Sequence, residues 1–397
     1  MSNIPKLRFP EFKGEWEEKK LDSLSLINPK PIDLPEVFSY IDLESVKNGV
    51  LLQEKIIKKD EAPSRAQRLL EENDILFQTV RPYQRNNYFF NSEKNTVAST
   101  GYAQFRVNKD NYPSFLYQYL YTNNFVKNVL DRCSGTSFPA ISTNDLLEIS
   151  LHIPSLAEQQ RIADFLSNVD SIITAETKIL NSLQKKKKAL MQKLFTQQLR
   201  FKSADGTDFH AWEEKKLGEI SSSPKYGLNA SGIDYDGEHK YLRITDIDEV
   251  THTFSPEEIT TPSEFSDDYL LEENDIVFAR TGASTGKTYL YNPNDGDLYF
   301  AGFLIKFHIK DANARFVFYQ TCTHEYEKWV HVMSTRSGQP GINSEEYSTL
   351  KIKLPCIEEQ QKIADCLSSM DSLIQTQQKV VTTWQQRKKA LLQQMFI

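Results

Sequence analysis

The feature that most constrains this chain is an internal duplication. Leu69-Leu-Glu-Glu-Asn-Asp-Ile-Leu-Phe77 returns as Leu270-Leu-Glu-Glu-Asn-Asp-Ile-Val-Phe278. A second block, RIADFLSNVDSII from Arg161 to Ile173, returns as KIADCLSSMDSLI from Lys362 to Ile374, so that Asp164 answers to Asp365 and Leu166 to Leu367. A third, QKKKKALMQKLF from Gln184 to Phe195, returns as QQRKKALLQQMF from Gln385 to Phe396. All three keep one shift of 201 residues, which marks a duplicated module and not a short solenoid repeat. Trp16-Glu-Glu-Lys-Lys-Leu21 also returns, as Trp212-Glu-Glu-Lys-Lys-Leu217, at a shift of 196, and Leu7-Arg-Phe9 echoes Leu199-Arg-Phe201 just after the first QKKKK block. Such a module can close on itself, with the end of copy two lying where copy one begins, and a pseudo-two-fold arrangement is the expected result.

Each copy ends in a segment with helical periodicity. Ile162, Val169, Glu176, Leu183 and Leu190 form one row and Leu166, Ile173, Leu180, Lys187 and Leu194 the other, a heptad seam that Phe165, Ile172 and Ile179 widen. The second copy keeps the seam with Ile363, Met370, Gln377, Trp384 and Leu391 against Leu367, Ile374, Val381, Lys388 and Met395. No Pro or Gly interrupts 155–195 or 356–396, and Pro154 and Pro355 mark the starts. Ser155 with Glu158 fits a capping box, of which Cys356 with Glu359 keeps half. About 40 residues at 1.5 Å each predict rods of roughly 60 Å. Polar breaks at Glu176/Gln377 and Lys187/Lys388 favour an antiparallel pair, with Glu176 expected against Lys388 and Lys187 against Gln377; a parallel pair would oppose the two lysines. The runs Lys185–Lys188 and Arg387–Lys389 read as a solvated face suited to a helix C-terminus, with phosphate or partner contact as the alternative.

Between these blocks, residues 22–150 and 218–350 diverge. Alternating runs at 74–80, 102–107 and 303–309 read as strands, and amphipathic stretches at 114–129 and 314–333 as helices. The fold class is therefore mixed α/β: two globular α+β domains separated by two long antiparallel coiled-coil helices. The expected boundaries are 1–154 and 199–355 for the globular domains, and 155–198 and 356–397 for the helices.

Both divergent regions carry a polar loop after a strand. In the first, Arg81, Tyr83, Gln84, Arg85, Asn86 and Asn87 combine the side chains that read guanine and adenine edges with an aromatic ring. In the second, Arg280, Thr281, Ser284 and Lys287 lie among glycines and small hydroxyls suited to close phosphate approach. A second pair of loops, holding Arg132 in one and Arg336 and Gln339 in the other, precedes the long helices.

Several chemistries are excluded by pattern. Gly282 to Thr288 (GASTGKT) has only three residues between its glycines and leads into Tyr289-Leu-Tyr-Asn-Pro293, a strand and turn, where a P-loop needs four and a helix. Asn28-Pro-Lys-Pro31 and Asn292-Pro-Asn294 lack the N-P-P-[YF] pattern of an amino-methyltransferase, and the seven histidines show no metal-binding spacing. The four cysteines form no C-x-x-C pair, no apolar run approaches a membrane span, and the start is not a signal peptide, so a soluble cytoplasmic protein is expected.

With these blocks in hand, the chain resembles the specificity (S) subunit of a type I restriction–modification enzyme over almost its whole length. The resemblance is carried by the paired E-Q-Q-x-I-A-D blocks at Glu158–Asp164 and Glu359–Asp365, the paired Q-x-[KR]-K-K-A-L blocks, the S-G-x-x-x-P-x-I and S-G-Q-P-G-I loops, and N-D-I-[LV]-F heading each polar loop. Tyr226-Gly227 with Tyr241-x-Arg243-x-x-Asp246-Ile247 resembles these recognition domains too, which adds Lys225, Tyr226 and Arg243 to the candidate DNA-contacting residues. The resemblance implies that each globular domain is a target recognition domain for one half of a split, asymmetric double-stranded DNA site. It implies helices that set the gap and dock two methyltransferase (M) subunits, with restriction (R) subunits in the full complex and no membrane. Catalysis, with S-adenosylmethionine, ATP and Mg, would belong to those partners, leaving no catalytic residue, metal or cofactor in this chain. The glycine-rich loop of the second domain has no glycine counterpart in the first, which leaves open whether their contacts are equivalent.

The net charge of −7 runs against DNA binding, and it is localised: −1 over 1–154, +3 over 155–198, −10 over 199–355 and +1 over 356–397. The free chain is thus expected to bind DNA weakly. The rival reading is a coiled-coil scaffold or adaptor whose heads bind proteins, for which the acidic second head is the best support.

Overall fold

The computed structural model describes residues 3–30, 33–135, 137–336 and 338–397. Pro31 of the Asn28 run, Thr136 of the first S-G loop and Ser337 of the second lie outside the described residues. The chain forms two compact units, Met1–Lys178 with Gln377–Ile397, and Ile179–Thr376.

In unit 1 the alternating apolar runs make an antiparallel sheet in the order Ser25–Ile27, Tyr102–Val107, Ile75–Gln78, Tyr88–Phe89. A second sheet runs Lys55–Lys58, Val37–Ile41, Thr96–Ser99, Ala66–Leu69, with its central pair parallel. Unit 2 repeats the first sheet as Lys225–Tyr226, Leu304–His308, Asp275–Ala279, Thr288–Leu290. Its counterpart of the second sheet is reduced to pairs, among them the parallel Lys240–Leu242 with Leu298–Phe300. The WEEKKL segments become strands in both units: Glu17–Lys20 pairs with Ser150–Ile153, and Glu213–Lys216 with Lys351–Leu354, both antiparallel.

The repeated L-E-E-N-D-I block is a turn built around a buried carboxylate. Asn73 and Asn274 take left-handed backbone (φ 69° and 73°), a conformation asparagine tolerates. Asp74 then accepts from the Glu71 N–H at 2.7 Å, and Asp275 from the Glu272 N–H at 2.9 Å. Each aspartate is almost fully buried and is met by a cation on the facing strand, Arg106 at 2.8 Å in unit 1 and Lys306 at 3.1 Å in unit 2, where the His308 Nδ1 also stands 2.9 Å away. The Glu272–Asp275–His308 group is therefore an ion-pair cluster with its own resident cation.

The stretches 114–129 and 314–333, expected as single helices, are each broken in two. Pro113–Tyr119 and Asn123–Leu130 are separated at Thr122, whose side chain caps the second helix by accepting from Phe125 N–H. Ala314–Gln320 and His324–Ser334 are separated in the same way at Thr323, which accepts from Tyr326 N–H. A threonine that caps a new helix ends the preceding one.

The two long helices are Leu156–Phe195 and Ile357–Met395. The Ser155 hydroxyl accepts from Glu158 N–H at 3.4 Å, but the Glu158 carboxylate does not return to complete a capping box. It is instead buried under Arg8, which donates to both oxygens at 2.7 and 2.8 Å, and Trp16, whose indole N–H donates at 3.3 Å. Unit 2 repeats this with Glu359, Arg200 (3.1 and 2.7 Å) and Trp212 (3.2 Å). Gln159 and Gln360 explain the rest of the E-Q-Q motif: each donates to the carbonyl of the preceding proline and accepts a backbone N–H, from Tyr112 and Asn313 respectively, at 2.9 Å.

The expected closure is present as a matched hydrogen bond. Within unit 2, Leu199 N–H donates to Lys193 O at 3.1 Å just after the first long helix; within unit 1, Leu7 N–H donates to Gln394 O at 2.8 Å. Phe396 packs edge-on to Trp16 and against Phe115 (6.3 and 5.3 Å between ring centroids), as Phe195 does with Trp212 and Phe316 (6.4 and 5.5 Å). The core of each unit gathers around these rings.

The helices run antiparallel within each unit, but not in the expected register. Glu176 accepts from Gln377 Nε2, and Lys388 pairs with Asp170 at 2.6 Å; in unit 2, Lys187 pairs with Asp371 at 2.5 Å. The expected Glu176–Lys388 and Lys187–Gln377 partners are thus replaced, because each lysine finds an aspartate off the heptad rows. Lys185, Lys186 and Lys188 are exposed, and so in part are Phe165, Ile172 and Ile179, which flank the seam.

Candidate nucleic-acid interface

In each unit the polar loop after the central strand meets the loop before the long helix. Val80 bridges Ala140, and Thr281 bridges Gly341; Arg81 N–H donates to Pro139 O at 2.7 Å, and Gly282 N–H to Pro340 O at 3.0 Å. Every one of these positions is related by the shift of 201. The loop pair expected from sequence therefore stands on one backbone frame in both units.

That frame needs left-handed residues at two places. In unit 2 they are Gly282 (φ 75°) and Gly286 (φ 91°); in unit 1 the same places are held by Arg81 and Arg85, both at φ 54°. The glycines without a counterpart in the first loop thus have a conformational counterpart, and only the side chains differ. Glycine is required at 286 for a second reason: a Cβ there would stand 2.5 Å from Val330.

The first unit's candidates divide by what holds them. Arg85 donates to Tyr121 O at 2.9 Å and Asn123 Oδ1 at 2.7 Å, so its guanidinium secures the following helix pair. Asn86 accepts from Asn48 N–H at 3.0 Å. Asn87 is buried and accepts from Gln78 N–H at 3.0 Å, locking the turn. Gln84 accepts from Gln78 Nε2 at 2.9 Å but is itself exposed, as is Tyr83. Arg81 lies with its guanidinium 4.4 Å over the ring of Phe138. Arg132 is exposed and bonds back to Asn128 O at 2.9 Å.

In the second unit, Lys287 is drawn inward: its ammonium donates to Ile247 O at 3.0 Å and lies 3.5 Å from Glu249, with 11% of the side chain exposed. The cation expected to meet phosphate therefore closes the fold around the 244–247 turn, and the following strand Thr288–Leu290 removes any likeness to a P-loop. Arg243 is clamped on buried Asp246 by bonds of 2.9 and 2.8 Å. Lys225 donates to Asp268 O at 2.7 Å, and Arg336 pairs with Glu346. Arg280 stacks on Tyr226 at 4.8 Å, while the Tyr226 hydroxyl meets Ser344 Oγ at 3.1 Å. Thr281 and Ser284 are half-buried in the loop, and Gln339 is exposed beside Gly282. Phe138, which the sequence patterns did not single out, is the ring beneath Arg81; an aromatic residue inside an otherwise polar S-G-T-S-F-P loop is its mark in the sequence.

Two mixed α/β heads, each presenting a loop pair on the same frame and each followed in the chain by a long helix, define a duplicated recognition protein. Both halves match the family model of the type I restriction modification DNA specificity domain, over residues 13–185 and 210–383, and the chain belongs to that family. It is similar to the type I restriction enzyme MjaVIII specificity subunit of Methanocaldococcus jannaschii, at 27% identity over 97% of this chain and 92% of the relative. The HindI specificity subunit of Haemophilus influenzae is 28% identical over 46% of this chain and 41% of its own. Among solved structures, the type I restriction–modification S subunit from M. genitalium superposes with a TM-score of 0.59 at 16% identity, covering 99% of both chains. A chain from a type I restriction–modification assembly superposes with a TM-score of 0.56 at 20% identity, covering 96% of this chain and 97% of that one. No helix among the described residues is long and apolar enough to cross a membrane.

Proposed function

We propose that this chain is the DNA sequence-recognition subunit of a type I restriction–modification complex, each head reading one half of a split site in double-stranded DNA. The observation that carries this is the family match in both halves, joined to a loop pair that keeps one frame and changes its side chains. A shared frame with different side chains is what an asymmetric bipartite target requires. The reading with a protein-binding scaffold has no support from the family.

On this proposal, residues 1–154 and 199–355 are the target recognition domains, and the two long helices set the gap and dock two methyltransferase subunits. The exposed Phe165 and Ile172 on the first helix suit an apolar partner face. Restriction subunits join the full complex. The chain itself carries no catalysis: S-adenosylmethionine, ATP and Mg serve the partner subunits.

The test is to map methylated adenines in a host carrying this chain with its methyltransferase subunits. A split sequence is expected, and replacing one head by a divergent one should alter just one half. Methylation patterns that ignore a head replacement would overturn the reading. The acidic balance of unit 2 further predicts that the isolated chain binds DNA weakly at physiological salt; a nanomolar dissociation constant without methyltransferase subunits would contradict this.

A further inference from the structure

Where the two loops meet, one contacting pair differs in charge and aromatic character between the units. In unit 1 the guanidinium of Arg81 covers one face of the Phe138 ring at 4.4 Å, and Phe138 is 59% exposed. The shift of 201 carries these positions to Gly282 and Gln339, where the Gln339 amide nitrogen stands 3.2 Å from the place a Cβ on residue 282 would take. The backbone beneath is the same in both, as the matched bonds to Pro139 and Pro340 show.

Arg81 holds a left-handed conformation that glycine adopts in the second unit without strain. Arg85 does likewise at the Gly286 position, but its guanidinium is used by the fold, bonding Tyr121 and Asn123. Among the described residues the Arg81 guanidinium makes no side-chain hydrogen bond and pairs with no carboxylate; it lies over the Phe138 ring. The ring in turn is an apolar group left largely exposed in its loop. A guanidinium that lies over a ring and makes no hydrogen bond keeps its N–H donors free, and its N–H edge is the part that reaches O6 and N7 of guanine.

We propose that Arg81 and Phe138 form a two-residue specificity element of unit 1. Arg81 reads a guanine through its N–H edge, and Phe138 meets the 5-methyl group of a neighbouring thymine. Gly282 and Gln339 are the counterpart in unit 2, where the glutamine amide reads an adenine in place of the guanine. The assignment rests on the DNA reading above.

The test uses the full chain assembled with its methyltransferase subunits. The double variant R81G/F138Q carries the unit 2 pair on a frame that already accepts it. It should methylate the parental site about ten- to a hundredfold less, and its mapped sequence should change at one or two adjacent base pairs of one half-site only. R81K keeps the charge but loses the planar fork, and F138L keeps an apolar group but loses the stacking face; each should weaken parental methylation about tenfold. Undiminished methylation of the unaltered parental sequence by the double variant would overturn the proposal. If the double variant fails to assemble, R81K and F138L decide in the same way. Failure of the underlying reading is distinct: the unsubstituted complex would then methylate no split sequence at all.

Discussion

Lys388 reaches across to Asp170 with its ammonium 2.6 Å from the carboxylate, and the pair is only partly exposed. The same aspartate accepts from Gln118 Nε2 at 2.8 Å, and the ammonium lies 5.4 Å from the Tyr121 ring centroid. One charge pair therefore ties both long helices to the globular part of unit 1. Lys187 and Asp371 repeat it in unit 2, where Tyr319 donates to Asp371 at 2.7 Å. The lysines in the heptad seam are thus structural cross-ties, which accounts for a charged residue at an otherwise apolar position.

Removing one member of such a pair leaves the other without its partner in a half-buried place. Asp170→Asn should lower stability by about 1–3 kcal/mol. Lys388→Met, which fills the seam with an apolar side chain of similar length, should cost less than Asp170→Asn, and the double substitution less than the sum. Urea midpoints of the three variants check this. Equal losses for Asp170→Asn and Lys388→Met would argue against a desolvated pair.

Glu158 anchors the beginning of the chain to the first long helix. Glu158→Gln keeps the shape but removes the charge that Arg8 and Trp16 share, and should destabilise unit 1 by about 2–4 kcal/mol. The Leu7 N–H bond to Gln394 should then open first, seen as faster amide exchange at Leu7 than in the unsubstituted protein. Unchanged exchange there would show that the segment is held by its apolar contacts.

The duplication and both long helices were legible because repeated blocks and heptad spacing are local patterns in sequence. The E-Q-Q motif was legible as a marker but not as a mechanism, since its glutamate is satisfied by Arg8 and Trp16, about 150 residues away in the chain. The helix register was misread because the partners of Lys187 and Lys388 are Asp371 and Asp170, which lie outside the rows that define the seam. The shared loop frame was hidden for another reason. Arginine at φ 54° leaves no mark in a sequence, where glycine at the same place does. A sequence does not show which candidate cations, such as Lys287 and Arg243, the fold itself engages.

Lys287 offers a direct check on the glycine-rich loop. Lys287→Ala loses the bonds to Ile247 and Ile244 and should cost about 1–2 kcal/mol of stability. It should leave nucleotide binding unaltered, because the loop forms no phosphate cradle. Gly286→Ala should cost more, about 2–4 kcal/mol, since it adds a clash with Val330 to a left-handed backbone. Calorimetry with ATP alongside thermal melting reads both. An ATP signal in the unsubstituted chain that Lys287→Ala abolishes would contradict the structural role.

His252 gives the pH dependence its sign. Burial lowers its pKa, against the pull of the Thr288 carbonyl that meets Nδ1 at 3.0 Å, while the charge of Lys187 lowers it further. Folding therefore favours the neutral ring, and the unfolded chain takes up a proton near pH 6.5 that the folded chain refuses. Stability from this group is complete above that pH and falls as the pH drops below it, by at most about 1.4 kcal/mol per pH unit. His239 acts in the opposite sense, because its hydrogen bond to Asp236 raises its pKa and favours the charged ring on folding. The comparison that isolates His252 is thus between the unsubstituted chain and His252→Gln, both with His239 intact. Urea midpoints measured from pH 8 to pH 5 should fall less steeply for the variant. Parallel curves for the two proteins would show that His252 is not held neutral by the fold.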